Sequence, residues 1–421
     1  MATTVRSVAA SCAAAKGASR QLATASTKAK DAALTRTAEL LGERTAEVLE
    51  ANAADLADDR AAGLSSSLRD RLTLDEERVR AMAQGVGEIV SLPDPVGEEL
   101  DRRVLASGIE LRRVRVPLGV VAVVYEARPN VTIDCAALTI KSGNALVLRG
   151  SSYAERSNGA LAAIVRDALA DAGLPEDAAV MLSGGDHGDL LELATQDDLV
   201  DLLIPRGGEG LKAALKEVAT VPVIYAAAGN CHVYVHDDAE LEMARRIAFD
   251  AKVDRPGVCN SAETLLVNAT AAPAFLPRIL ADLHGAGVEL VGDERARENA
   301  GETPVAAATA EDWDTEYLDM KMAVAVVDSE QEAIDHINRH GTGHSEAIVT
   351  SSGQAAEEFT TGVDAAAVYV NASTRFTDGF EYGMGAEIGN STQKLHARGP
   401  VGLRELTTYK YVARGDGQTR G

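Results

Sequence analysis

The middle of the chain alternates short apolar runs with helical patterns, and no other feature restricts the fold as much. Strand-like runs begin at residues 119, 144, 178, 200 and 221. Patterns with apolar residues at helical spacing lie between them, at residues 158–174, 188–196 and 210–219. Because parallel strands need long crossovers, which are usually helices, this series predicts a parallel sheet with helices on both faces.

Three other segments surround this series. Residues 1 to about 92 carry apolar residues at helical spacing, which predicts a helical region. Residues 101–117 alternate apolar and polar residues around Gly108, as expected of a β-hairpin. A second α/β series begins near Cys231 and continues to the run AAAVYVN at residues 365–371. Because 421 residues exceed the usual size of one hydrophobic core, we expect two α/β domains, each built on a parallel sheet.

The first thirty residues contain no Asp or Glu and many Ala, Ser and Thr, a composition typical of a transit peptide. Two observations favour the alternative, which is a first helix of the folded protein. Lys16 and Arg20 interrupt any apolar core of a secretory signal, and the helical pattern continues unbroken into residues 31–59.

Charge and cysteine content exclude several classes of protein. A net charge of -23 repels nucleic acid and anionic membranes, so we expect neither as a partner. A small anionic ligand would need local Lys and Arg residues that reverse the field. Four cysteines without a CxxC motif give neither a disulfide framework nor a ribbon-type zinc site, which indicates a reduced, cytoplasmic setting. No apolar run reaches about 18 residues, so no membrane helix is predicted.

Three Gly-rich segments invite comparison with dinucleotide-binding loops, and two of them are suitably placed. The segments SGGDHG, residues 183–188, and RGGEG, residues 206–210, each follow a strand and open a helix, where backbone N–H groups and the helix dipole favour phosphate. Gly-rich turns are also common without a ligand. The segment GMGAEIG, residues 383–389, has no strand directly before it and too little chain after it for a βαβ unit, so we reject it as a dinucleotide fingerprint.

The cysteines differ in their sequence context. Cys12 and Cys135 lie in helical patterns and are expected to be core residues, whereas Cys231 starts a strand and stays ambiguous. Cys259 lies in a loop between a helical pattern and a strand. A nucleophilic thiol needs exposure and a field that favours the thiolate, which the nearby Lys252 and Arg255 could supply. The residues alone leave open whether Cys259 is a nucleophile.

Two other polar features allow more than one interpretation. Asn130 follows a strand and a proline, so it could be a helix N-cap, a turn residue or an amide that stabilises an oxyanion. His336, His340 and His344 are four residues apart, a spacing that could place them on one metal-binding face of a helix. Because a Gly-Thr-Gly segment interrupts the helix before His344, a solvated helix end is favoured, and no metal site is predicted.

Long segments of the chain resemble the γ-glutamyl phosphate reductase family, a branch of the aldehyde dehydrogenase superfamily. The resemblance runs from about residue 13 to residue 412 and is carried by segments such as VVYEARPNVTIDCAALTIKSGNALVLRGSS, KVDRPGVCNSAETLLV and EIGNSTQKLHARGPVGLRELTTYKY. The segment ASRQLATASTKAKDAAL resembles the first helices of this family, which argues against a targeting signal.

The resemblance implies an α/β fold of the aldehyde dehydrogenase type, with two parallel-sheet domains and a β-hairpin oligomerisation arm. A dinucleotide-binding domain would comprise residues 1–100 and 119–228. A catalytic domain would comprise residues 229–403. The arm, residues 101–118 with the C-terminal strand 404–414, would build a homodimer or a dimer of dimers.

The resemblance also implies roles for individual residues. Cys259 would be the nucleophile, and Asn130 would hold the oxyanion. Cofactor contacts are expected from the strand end that contains Arg149 and from the Gly-rich turns, namely Arg149, Gly150, Ser151, Ser183, Gly184, Gly207 and Gly208. The substrate carries two anionic groups, so we expect cations around it; the candidates are Arg255, Arg375, Lys394 and Arg398.

The implied reaction is the NADPH-dependent reduction of γ-glutamyl phosphate to glutamate 5-semialdehyde through a cysteine thioester, with glutamate 5-kinase as a candidate for functional coupling. The turn YAAAGNC, residues 225–231, lacks the carboxylate with which hydrolytic aldehyde dehydrogenases activate water. Two alternatives stay open at this point. One is a hydrolytic NAD(P)-dependent aldehyde dehydrogenase for another small semialdehyde, and the other is a scaffold without catalysis.

Overall fold

Two parallel sheets organise the chain, one in each of two units. The structure is a computed structural model that describes residues 6–182, 187–225 and 228–420. The first unit comprises Met1–Tyr225, Gly383–Gly389 and Val401–Gly421, and the second comprises Ala226–Tyr382 and Asn390–Pro400.

The first unit begins with five helices, which confirms the helical region predicted before residue 92. They are α1 (Val8–Leu22), α2 (Thr27–Glu43), α3 (Thr45–Leu56), α4 (Ser66–Leu72) and α5 (Glu76–Ser91). Capping side chains set the starts of the first two: Ser7 accepts a hydrogen bond from the N–H of Ala10, and Ser26 accepts one from Ala29. The segment with the composition of a transit peptide therefore forms α1, in which Cys12 and Leu22 are fully buried.

The parallel sheet of the first unit follows a β-hairpin. The hairpin consists of β1 (Glu99–Val104) and β2 (Glu110–Pro117). Then come β3 (Val120–Tyr125), α6 (Asn130–Lys141), β4 (Ala145–Arg149), α7 (Glu155–Asp171), β5 (Ala179–Met181), α8 (His187–Ala194), β6 (Leu202–Arg206) and α9 (Glu209–Val218). The four strands β3 to β6 are parallel in the order β5-β4-β3-β6. Every residue of β3 is buried, as the apolar run predicts.

One predicted strand is wrong. The run VPVIYAAAG at residues 221–229 forms only an isolated bridge between Val223 and Leu203 in its described part. Leu203 donates to the carbonyl of Pro222 over 2.8 Å and accepts from Ile224 over 3.0 Å. Pro222 has no N–H to donate, so the ladder cannot extend before Val223.

The second unit contains the larger sheet. Its elements are β7 (Cys231–Val235), α10 (Leu241–Val253), β8 (Ala262–Asn268), α11 (Ala272–Gly285), β9 (Glu289–Gly292), α12 (Glu294–Glu298), β10 (Ala306–Ala307), β11 (Lys321–Val327), α13 (Glu330–His340), β12 (Ser345–Val349), α14 (Gly353–Gly362), β13 (Ala367–Val370), β14 (Asn390–Ser391) and β15 (Gly399–Pro400). Seven strands are parallel in the order β10-β9-β11-β8-β7-β12-β13. Apolar clusters cover both faces, one with α10 and α11 and the other with α13 and α14.

The last strand returns to the first unit. β16 (Thr407–Arg414) pairs antiparallel with β2, so that β1, β2 and β16 form a three-stranded sheet with mostly exposed or half-buried residues. The buried amide of Asn144 donates to the carbonyl of Leu406 over 2.9 Å, which attaches the C-terminal segment beside β4. The predicted hairpin is thus present.

Within the described ranges, no helix has both the length and the apolar character needed to cross a membrane.

Candidate active site

The loop that carries Cys259 joins α10 to β8 at the edge where β7 and β8 begin. Cys231 and Ala262, the first residues of these strands, are paired in the register of the sheet. All four cysteines carry thiols, and Cys259 is half-buried whereas the other three are buried. Burial raises the pKa of Cys12 to about 11 and also raises the pKa of Cys135 and of Cys231. Cys259 is therefore the thiol that a solute can reach.

The main chain of Cys259 lies against the start of β7. The Sγ of Cys231 donates to the carbonyl oxygen of Cys259 over 3.2 Å. A Cβ on Gly229 would lie 2.7 Å from the Cα of Cys259, and nearer still to its carbonyl group. The N–H of Gly229 donates to the Oε1 of Glu316 over 2.6 Å. Only glycine fits at position 229, because the nucleophile candidate's own backbone occupies the space of a side chain.

A buried ion pair connects the two ends of this loop. The Nζ of Lys252 and the Oε2 of Glu263 are 2.6 Å apart, and both side chains are fully buried. The Oε1 of Glu263 accepts from the N–H of Leu318 over 3.2 Å. Burial raises the pKa of Glu263 to about 7 and lowers the pKa of Lys252. Glu263 offsets the charge of Lys252, and the positive field of Lys252 at the thiol stays a prediction.

Arg375 holds the same loop from the other side. Its Nε and Nη2 donate to the Oδ2 of Asp254 over 3.2 and 3.1 Å, and its Nη1 donates to the Oδ1 of Asn260. The Nδ2 of Asn260 in turn donates to the carbonyl oxygens of Arg375 and Thr377, over 3.1 and 3.0 Å. The guanidinium thus connects the residues that flank Cys259, and its contact with substrate stays a prediction.

The other three cations predicted for the substrate are also in the second unit. Arg255 is exposed on the Cys259 loop. Lys394 and Arg398 share one acceptor, the carboxylate of Asp364, which Arg398 contacts over 2.8 Å. Their contact with substrate also stays a prediction.

Asn130 is the first residue of α6, in the first unit. Pro129 is at the cap position, so the interpretation of Asn130 as an N-cap is wrong. The side chain of Asn130 is exposed, and its Nδ2 donates to the Oδ2 of Asp134 over 3.0 Å. Burial raises the pKa of Asp134 to about 6. The exposed amide of Asn130 therefore donates to Asp134, one turn further along α6.

The predicted cofactor residues of the first unit follow β4 and β6 at their carboxyl ends, where open α/β sheets bind ligands. Arg149 ends β4, and Ser151 accepts from the N–H of Tyr153 over 3.1 Å. Gly150 is packed so closely that an added Cβ would overlap the amide of Asn158. The backbone is thus fixed at the point where Arg149 leaves the sheet.

The Gly-rich turn after β6 presents its backbone at the start of α9. The N–H of Gly208 donates to the Oε1 of Glu126 over 3.1 Å, and a Cβ on Gly207 would lie 2.9 Å from the same oxygen. A carboxylate is stabilised there by the partial positive charge of the helix N-terminus. The predicted residues Ser183 and Gly184 lie outside the described part of the chain.

Sequence reasoning missed a group of buried polar residues between β7, β12 and α13. His232 and Glu346 are fully buried and 3.0 Å apart, and His336 packs its ring at 5.5 Å from that of His232. Burial lowers the pKa of His232 and of His336 to about 3, and that of the buried His344 to about 4. His336 and His340 are half-buried and His344 is buried, so the expectation of a solvated helix end is wrong for His344. The available signal was one titratable side chain, His232 or Glu346, in each of two mostly apolar strands.

A possible set of metal ligands lies at the other end of β7. His236, Asp237 and Asp238 bring their ligand atoms within 4.8 Å of one another, and the two aspartates are exposed. The Nδ1 of His236 is already 2.8 Å from Asp238. This cluster was not predicted, and its exposed carboxylates are also explained by the histidine they contact.

Comparison with known proteins places the chain in a family. The model of the "Aldehyde dehydrogenase family" matches residues 1–320. The chain is 53% identical to a γ-glutamyl phosphate reductase of Syntrophomonas wolfei over 96% of both chains, and 52% identical to one of Thermobifida fusca over 96% of this chain and 97% of the other. The crystal structure of γ-glutamyl phosphate reductase from Thermotoga maritima is 45% identical, with a TM-score of 0.96, and the alignment covers 99% of this chain and 100% of that one.

The fold, the reachable cysteine and the family match define an enzyme of the aldehyde dehydrogenase family, to which the chain belongs. Enzymes of this family use NAD(P). Within it, the chain belongs to the γ-glutamyl phosphate reductases, since its similarity to them covers nearly the whole of both chains.

Proposed function

We propose that this protein reduces L-glutamate 5-phosphate (γ-glutamyl phosphate) to L-glutamate 5-semialdehyde with NADPH and releases phosphate, as a step of proline biosynthesis. The observation that carries the proposal is the 53% identity to the γ-glutamyl phosphate reductase of Syntrophomonas wolfei over 96% of both chains. The thiol of Cys259 is half-buried, whereas the other three thiols are buried. This difference supports Cys259 as the residue that forms a thioester intermediate.

In the first half of the reaction, the thiolate of Cys259 attacks the acyl carbon of the substrate. A carbon–sulfur bond forms, the negative charge moves to the acyl oxygen, and the bond to the phosphate oxygen then breaks. The developing oxyanion is assigned two donors, the Nδ2 of Asn130 and the backbone N–H of Cys259. The Nδ2 of Asn130 has two N–H donors; one donates to Asp134 over 3.0 Å in this structure, and the second is assigned to the oxyanion.

The residues after β4 and β6 suit a dinucleotide. Arg149 provides a cation at the carboxyl end of a strand, and the backbone of Gly207 and Gly208 opens α9. When bound, the cofactor supplies the hydride that reduces the thioester. NADPH in preference to NADH is part of the proposal, because a guanidinium at Arg149 can pair with a 2′-phosphate. Arg255 and Arg375 are proposed to face the anionic substrate.

A hydrolytic enzyme for another semialdehyde is the alternative. The turn YAAAGNC contains no carboxylate of its own to activate water, although Ala226 and Ala227 lie outside the described residues. A carboxylate that does contact that turn, Glu316, accepts from the N–H of Gly229. The absence of a carboxylate within the turn itself favours transfer of the acyl group between cysteine and phosphate over its transfer to water.

The test is a steady-state assay in the direction of oxidation, with glutamate 5-semialdehyde, phosphate and either NADP⁺ or NAD⁺. We expect reduction of NADP⁺ to require phosphate, and γ-glutamyl phosphate to form. Oxidation at the same rate without phosphate, with free glutamate as the product, would establish the hydrolytic alternative.

The organisation of the protein is part of the proposal. Residues 1–100 with 119–228 bind the dinucleotide, residues 229–403 carry the catalysis, and residues 101–118 with 404–414 form an oligomerisation arm. β16 is an edge strand with Tyr409 and Tyr411 exposed, and such an edge is suited to pairing with a second copy. Light scattering should give a dimer or a dimer of dimers.

A cytoplasmic location is also part of the proposal. Four cysteines that all carry thiols suit the cytoplasm.

A further inference from the structure

The second unit contains a polar cavity with no assigned role. It has a volume of about 490 Å³ and lies between the end of α13, the Gly341–Gly343 turn and the segment that follows β14. Its polar walls comprise Thr342, Glu346, Asp364, Thr392, Lys394 and Arg398.

Two of these side chains make the cavity positive. Lys394 and Arg398 both donate to the carboxylate of Asp364, one to each oxygen, with Arg398 at 2.8 Å. Two cations against one carboxylate leave a surplus of one positive charge in a protein whose net charge is -23. An ammonium has three N–H donors and a guanidinium five, so both can hold Asp364 and a second anion together.

Glu346 adds a buried carboxyl group to the same wall. Its Oε2 accepts from the backbone N–H of His232 over 2.7 Å and lies 3.0 Å from the Nδ1 of the same residue. Burial raises the pKa of Glu346 far above its usual range, which favours the uncharged form. Glu346 therefore opposes the two cations less than an exposed carboxylate would.

Gly341 packs against Glu346 in this wall. The Oε1 of Glu346 is fully buried and makes no hydrogen bond within the described part of the protein. A Cβ on Gly341 would come within 3.0 Å of this oxygen and 2.6 Å of the carbonyl of Ile337. Only glycine therefore fits beside the carboxyl group at this point of the wall.

The cavity is also linked to the loop of the reachable thiol. The Oγ1 of Thr342 accepts from the N–H of Asn230 over 3.1 Å. Asn230 follows Gly229, which lies against the carbonyl of Cys259. The cavity wall at Thr342 is thus connected to Cys259 through a hydrogen bond to Asn230 and the peptide bond from Asn230 to Gly229.

We propose that this cavity binds an oxyanion, a carboxylate or a phosphate, between Lys394 and Arg398, and that Asp364 is an internal competitor for the two cations. The inference deepens the proposed function and rests on it for the source of the oxyanion. Two sources have the required chemistry, the α-carboxylate of the substrate and the inorganic phosphate that the reaction releases.

The first experiment measures binding without turnover. The melting temperature of the protein is recorded with inorganic phosphate and, separately, with L-glutamate as the probe. Arg398→Met and Lys394→Met should each weaken the effective probe about tenfold or more, because one charge-assisted hydrogen bond is lost. Asp364→Asn should tighten it several-fold, because the competing carboxylate is gone. Arg278→Met, on the surface of α11 with a 74% exposed side chain, is the matched control and should change nothing.

The second experiment separates the two sources by kinetics in the direction of oxidation. A phosphate site raises the KM for phosphate in Arg398→Met and Lys394→Met, whereas a carboxylate site raises the KM for the semialdehyde. The proposal is overturned if neither probe shifts the wild-type melting temperature and both KM values stay within twofold in the two cation variants. If the enzyme is inactive but the binding results hold, the proposed function fails and the oxyanion site stands.

Discussion

Replacing Gly229 by Ala should separate the catalytic contribution of the Cys259 loop from its contribution to stability. The new Cβ would lie 2.7 Å from the Cα of Cys259, whereas carbon atoms in contact prefer about 3.5–4.0 Å. Both partners are backbone, so no side-chain rotation relieves the overlap. The Cβ would overlap the carbonyl carbon and oxygen of Cys259 still more closely, so the two segments must move apart by at least about 1 Å, and the thiol moves with its own main chain.

The expected magnitudes follow from this displacement. Overpacking of this kind costs about 1–3 kcal/mol, and the hydrogen bond from Cys231 to the carbonyl of Cys259 is strained as well. A displacement of about 1 Å in a catalytic group lowers the rate by about 100-fold. We therefore expect the free energy of unfolding to fall by about 2–4 kcal/mol and kcat by about two orders of magnitude.

The matched control is Gly257→Ala on the same loop, where an added Cβ has only an ordinary contact of 3.7 Å, to the carbonyl of Leu318. Urea unfolding gives the stability of each variant, and single-turnover assays at a temperature where both are folded give the rates. If Gly229→Ala keeps wild-type kcat, or if Gly257→Ala is equally damaged, the argument from backbone contact at Gly229 is refuted.

Three further predictions concern Cys259, Lys252 and Asp134. Cys259→Ser should still bind the dinucleotide, as measured by fluorescence titration, but should show no turnover; substantial activity would remove Cys259 as the nucleophile. Lys252→Met should lower the free energy of unfolding by about 3–5 kcal/mol because it leaves Glu263 buried without its partner, and Lys252→Met with Glu263→Leu should recover most of this loss in urea titrations. Asp134 has a pKa raised to about 6 in the folded protein, so its contribution is complete below its unfolded pKa near 4 and is lost as the pH rises through 6. Asp134→Asn should therefore gain stability over the wild type from pH 4 to pH 7, by up to about 3 kcal/mol, and a constant difference would contradict the shift.

The fold could be predicted where local pattern and burial agree. The run at Val120–Tyr125 is apolar throughout and forms a central strand, and the polar break around Gly108 forms the hairpin turn. The prediction failed at residues 221–229, where apolar content outweighed the missing N–H of Pro222. Hydrophobicity identifies the buried segment there, and backbone hydrogen bonding decides that it is not a strand.

The site was predictable in its residue types but not in its pairings. Cys259 could be found from its loop context. The partner of Lys252 could not, because eleven positions of chain separate it from Glu263 and only the packing of α10 on β8 brings them together. The partner of Glu346 could not be found from sequence either, since its oxygen contacts the backbone and the ring of His232 in a neighbouring strand.

The path of the chain through the two units has a consequence for synthesis on the ribosome. The first unit needs residues 383–389 and 401–421, including the Leu406 carbonyl that accepts from the buried amide of Asn144. At about 5–20 residues per second, roughly 9 to 35 seconds pass between the emergence of residue 226 and that of residue 401. During this interval the first unit lacks its closing strand β16, and β2 is an open edge. A nascent chain stalled before residue 401 should therefore contain a protease-resistant second unit and a protease-sensitive first one, the reverse of their order along the gene.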